Sequence, residues 1–102
     1  MANIIVTEYR GTWDLGRTQA AYGPLASQTV AIGGASAATT NAMSGLTSLI
    51  CIFAEADCNV TIAAAPNAST GIIRALAANQ YDYFAIEPAS AMKVACISRT
   101  VS

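Results

Sequence analysis

The chain has 102 residues, of which 54 % are hydrophobic and only 11 % charged, with a net charge of −1. That length fits one domain with one core, while the charged share is well below the usual ~25 %; a small domain has the most surface to keep wet, so the surplus apolar surface points to an interface. Five dispersed cations (Arg10, Arg17, Arg74, Lys93 and Arg99) exclude a phosphate-binding patch, and no apolar run approaches the ~20 residues of a spanning helix.

Residues 2–9 (ANIIVTEY) alternate and predict a first strand, with Ile4 and Val6 on one face and Ile5 and Thr7 on the other. Residues 10–27 fit neither strand nor helix, being broken at Gly11, Gly16 and Gly23-Pro24. They nevertheless carry Trp13, Arg17 and Tyr22, and a polar loop has no need of a tryptophan. A contact loop or arm is the expectation for this segment.

Residues 28–33 predict a second strand, and 34–45 a small-residue loop with room for one helical turn. The run 46–54 (LTSLICIFA) is apolar on both faces, as in a strand with neither side in water. Beyond the Glu55-Ala56-Asp57 turn, Cys58, Val60 and Ile62 alternate with Asn59 and Thr61, which predicts the former inward and the latter outward. Pro66 to Gly71 is a strong turn signal. Residues 72–77 predict a strand, with a short helix as the competing reading because alanine is the best helix former. In 81–86, Phe84 and Ile86 oppose Tyr81 and Tyr83. In 92–98, Met92, Val94 and Cys96 are expected inward, with Lys93, Ala95 and Ile97 on the other face.

About seven short strands separated by turns predict an all-β, single-domain β-sandwich or jelly-roll-like fold over residues 1–102.

The chemical inventory is sparse. There is no histidine, which removes histidine-based triads, histidine metal ligation and the usual neutral-pH base. Cys51, Cys58 and Cys96 match no zinc spacing and read as small core hydrophobes. Glu55 and Asp57 share a turn, but no calcium loop surrounds them, and a solvated turn is the better reading. Gly33-Gly34 lacks a phosphate-binding sequel. No catalytic residue, metal site or cofactor is expected. The aromatic residues say more: Trp13, Tyr22, Tyr81 and Tyr83, with Arg17, are of types that dominate interfaces, and they are the candidate contact residues. For Tyr81 and Tyr83 the alternative is that they cover the second face of the sandwich. Met1-Ala2-Asn3 gives no basic start for a secretion signal, so the expectation is synthesis and assembly in a cytoplasm.

Several stretches share one further pattern: Cys58 to Ile62, Pro66 to Thr70, Leu76 to Asn79, Tyr83 to Pro88 and Lys93 to Ile97, preceded by the polar loop and strand of residues 31–58. This pattern, over roughly residues 28–98, resembles small all-β virion structural proteins of tailed bacteriophages. The resemblance implies a particle component located on the virion and made in the host cytoplasm. Its first expectation is a capsid decoration (cement) protein, commonly a homotrimer, bound to the major capsid protein or another virion protein. A head-to-tail or tail accessory subunit is the second, and a receptor- or carbohydrate-binding knob a further alternative. It implies no enzyme, no direct nucleic-acid contact and no membrane.

Overall fold

Ten strands run through the computed structural model, which describes residues 2–10, 12–15, 18–21, 24–70 and 73–99. They are β1 (Asn3–Tyr9), β2 (Thr12–Leu15), β3 (Thr18–Ala21), β4 (Pro24–Ala31), β5 (Ala37–Ala38), β6 (Leu49–Ala54), β7 (Cys58–Ala63), β8 (Arg74–Leu76), β9 (Gln80–Ala85) and β10 (Lys93–Ser98). There is no helix among the described residues. Eight strands form two four-stranded antiparallel sheets, ordered β4-β1-β6-β9 and β5-β10-β7-β8, while β2 and β3 pair as a separate hairpin. The all-β sandwich is the expected fold class.

Period-two alternation places the core. On β1, β6 and β10 the side chains of Ile4, Val6, Ile50, Ile52, Val94 and Cys96 lie between the sheets with 1 % exposure or less. Cys58 and Val60 of β7 join them, and Leu76, Ile86, Val30, Ile32 and Met43 close the periphery. Turns follow the breaker residues. Asn67 Oδ1 accepts from Ser69 N–H (2.9 Å), and Asn79 takes a left-handed φ of 62° between β8 and β9, a region asparagine enters readily. Ala89 and Ala91 are also left-handed, at 62° and 54°, and alanine holds that conformation only at a strain of about 1–2 kcal/mol each.

Several expectations need correction. Residues 10–27 are not irregular: they hold β2, β3 and the start of β4, and the pairing Thr12↔Ala21 to Leu15↔Thr18 continues beyond the β1–β4 ladder. β2 and β3 have four residues each, too few for a period of two to stand out in the sequence. Residues 34–45 carry the two-residue β5 rather than a helical turn. Over residues 74–76, by contrast, the expected strand forms rather than the competing helix, because they pair with Cys58 to Val60.

Thr61 and Ala95, expected on an outward face, are both buried, at 6 % and 0 %. They are cross-strand partners, and the segment 64–70 crosses β10 to reach Ser36 beside β5. There Ser36 Oγ accepts from Ala68 N–H at 2.9 Å, and Ala68 is itself buried. The middle of the second sheet's outer face, at Thr61 and Ala95, is therefore withdrawn from solvent. The strand over 46–54 departs in the opposite sense: Ile50, Ile52 and Ala54 are buried, but Leu49, Cys51 and Phe53 are only half-buried, and no strand among the described residues is layered over the outer face of the first sheet.

Candidate assembly surface

That uncovered face is built row by row from the register. β1 is paired on both sides, so its outward residues align with those of β4 and β6, and β6 carries the alignment on to β9. One row reads Thr29, Ile5, Phe53, Tyr81; the next Ser27, Thr7, Cys51, Tyr83; and the last Tyr9, Leu49, Ala85. No residue in these rows is charged. Glu8 and Asp82, the carboxylates of β1 and β9, fall on the inward-facing positions of their strands instead.

Of the candidate contact residues, Tyr81 and Tyr83 belong to this surface. They are 62 % and 51 % exposed and stack edge-to-face, with ring centroids 5.7 Å apart and planes at 88°. Trp13 lies on β2 opposite Ala20 of β3, on the hairpin rather than on the sheet. Arg17 and Tyr22 lie outside the described residues. The structure thus brings two of the five candidates together and adds Ile5, Tyr9, Leu49, Cys51 and Phe53. Sequence reasoning missed these five because it lacks strand order; the doubly apolar run 46–54 was the one available signal.

Tyr83 and Cys51, cross-strand partners, shift each other's ionisation in opposite senses. The Cys51 sulfur, then burial, raises the Tyr83 hydroxyl above its ordinary value. Burial raises the Cys51 thiol despite the Tyr83 hydrogen bond, and Asp82 adds to the rise. Both stay neutral at physiological pH, which keeps this face without charge.

Elsewhere the polar groups act as structural ties. Glu8, 2 % exposed, accepts on Oε1 from Thr47 Oγ1 (2.7 Å) and from Ser44 N–H (2.8 Å). This pins the loop before β6 against the first sheet. The carboxyls of the 55–57 turn point apart. Glu55 accepts from Asn3 N–H at 2.8 Å, and Asp57 accepts from Ala78 N–H at 2.9 Å with Arg99 at 3.9 Å. They are therefore turn staples rather than a freely solvated pair. Among the described residues no cluster of three or more His, Cys, Asp or Glu side chains forms. An open cavity of about 340 Å³ lies at the β8–β9 side, lined by Val60, Thr61, Ile62, Ile73, Arg74 and Phe84. Arg74 is engaged there with Asp82 at 2.7 Å.

The interior thiols carry a pH consequence. Burial pushes Cys96 from 9.0 up to about 11, with Cys58 adding to the rise, and burial likewise raises Cys58. Between those values the unfolded chain has lost the Cys96 proton while the folded chain keeps it. Stability is therefore full below about pH 9 and falls as pH rises towards 11, at about 1.4 kcal/mol per pH unit for one proton. Urea midpoints are expected to drop between pH 8 and pH 10.5, and Cys96→Ala to flatten that drop. Equal slopes in the two proteins would count against the assignment.

Comparison with protein-family models, with curated proteins and with solved structures gives no match to this chain.

Proposed function

We propose that the chain is a structural subunit of a bacteriophage particle, of the capsid-decoration kind, which binds the capsid lattice in company with copies of itself. The observation that carries this reading is the outer face of the β4-β1-β6-β9 sheet: apolar, free of charge and uncovered, in a chain with 11 % charged residues. The strand-and-turn resemblance over residues 28–98 supplies the virion setting. A standard interface of about 1,600 Å², some 57 % apolar, gains roughly 23 kcal/mol gross at ~25 cal/mol/Å². Association costs of about 4–15 kcal/mol leave a surplus, so apolar burial alone suffices without ion pairs.

The test is composition: peptides of this chain are expected in particles purified from its source, in fixed ratio to the major capsid protein. Recovery only in the particle-free fraction overturns the reading. The exposed Tyr81–Tyr83 pair favours one second reading, a carbohydrate-binding knob, because exposed aromatic faces stack on sugars. Binding of the isolated protein to a glycan array, lost in Tyr81→Ala, would establish that reading instead.

A further inference from the structure

We infer that the outer face of the β4-β1-β6-β9 sheet is the seat of a second copy of this chain, packed sheet on sheet about a two-fold axis parallel to the strands. The inference rests on the reading of the chain as an assembly subunit and specifies the geometry of its self-association.

Four observations converge on this occupant. First, β6 is apolar on both faces, the composition of a strand covered on both sides, yet only its Ile50, Ile52 and Ala54 face is covered within the chain. Second, the other sheet's outer face is closed at its middle, where Thr61 and Ala95 are buried and Ala68 is tied to Ser36, whereas the first sheet's outer face keeps Tyr81 and Tyr83 exposed and Cys51 and Phe53 half-buried. Third, an isologous contact buries each face against its own image, where a charge without an opposite partner is costly; the rows of this face carry no charge. Fourth, the sizes are complementary. The β9 edge is bulky, with Tyr81 and Tyr83, and the β4 edge is small, with Ser27, Thr29 and Ala31. An axis parallel to the strands lays β9 of one copy over β4 of the other, and β1 over β6. Tyr83 then stands over Ser27 of the second copy, and Tyr81 over Thr29, filling the space at each edge. An axis across the strands would instead set tyrosine against tyrosine and leave the β4 edges gaping.

The area sets the strength. Four strands ~4.8 Å apart with three outward residues each make a face of about 19 by 20 Å, so roughly 800 Å² for two copies in projection. That is below the ~1,200 Å² of a stable dimer, and the association is concentration-dependent.

Sedimentation velocity of the full chain, loaded from about 5 to 500 µM, covers the micromolar-to-millimolar affinities such an area supports. The mass is expected to move from 10.4 kDa towards twice that value, with little change between low and high salt. S27K and Y83E are each expected to remain monomeric across the range, and T40K, on an exposed loop, to behave as the parent. In the double variant S27K/Y83E, the introduced lysine faces the introduced glutamate of the other copy, and dimerisation returns. The two positions lie on opposite edge strands of one sheet, so the charges cannot pair within a copy. Melting temperatures close to the parent's at the lowest concentration establish that the variants are folded.

A monomer at every concentration, a trimer, or a dimer indifferent to S27K overturns the inference. Loss in both single variants without rescue in the double variant overturns the strand-parallel axis. None of these outcomes bears on whether the chain occurs in particles, which the composition test decides separately.

Discussion

Ile52→Ala is expected to remove about 4 kcal/mol of folding stability, read as a fall in the urea midpoint at unchanged slope. Ile52 has no exposed surface and sits mid-strand on β6, between Val6 on β1 and Asp82 on β9. Three carbons leave, each worth about 0.8 kcal/mol in transfer, and the cavity adds a further 1–2 kcal/mol because two hydrogen-bonded sheets cannot collapse into it. A domain of this size has roughly 5–15 kcal/mol in hand, so the melting temperature falls by about 15–30 °C. Leu46→Ala, at a site 58 % exposed, is the control and changes stability by no more than about 0.5 kcal/mol. A loss under about 1.5 kcal/mol for Ile52→Ala would show that the core lies elsewhere.

Glu8→Ala comes second, at about 3 kcal/mol. Both Glu8 hydrogen bonds end on Oε1, one from the fully buried Thr47 hydroxyl and one from Ser44 N–H. Truncation leaves two donors facing an apolar gap, at about 1–3 kcal/mol for each one left unmade. Glu8→Gln keeps an oxygen at that place and is expected to cost only about 1 kcal/mol. The local readout is amide exchange: Ser44 and Thr47 lose protection in Glu8→Ala well before the β6 amides do. Uniform loss across both segments would show that Glu8 supports the whole sheet rather than the loop. An effect below about 1 kcal/mol would show that the loop is held by its backbone bonds alone.

Glu8 also marks the limit of what a sequence conveys. The alternation of Ile4 and Val6 was legible, and simple continuation puts Glu8 on the same inward face. Nothing local says that a carboxyl is welcome there, because its partners lie 36 and 39 residues away. The strands over 58–63, 80–85 and 93–98 were legible because a period of two is local chemistry, written in consecutive residues. Strand order was not, and with it went the outer face: Thr7, Cys51 and Tyr83 fall into one row only through two ladders spanning the chain. Thr61 and Ala95 illustrate the same gap from the other side. Their polarity and position read as outward, and the loop 64–70 declares itself only through its bond to Ser36. The tyrosines of β9 were legible as exposed interface types, whereas Trp13 was legible only as a residue out of place in a loop.

The sheet orders β4-β1-β6-β9 and β5-β10-β7-β8 place the first strand and the last strand both in sheet interiors. A nascent chain therefore cannot finish either sheet early. β1 waits for β6 on one flank, and β5 has no strand to pair with until β10 emerges. Almost every stabilising pairing closes a long loop, which predicts folding on the millisecond-to-second scale of sandwich topologies. Emergence of β10, rather than of any earlier strand, is the point at which this domain can complete both of its sheets.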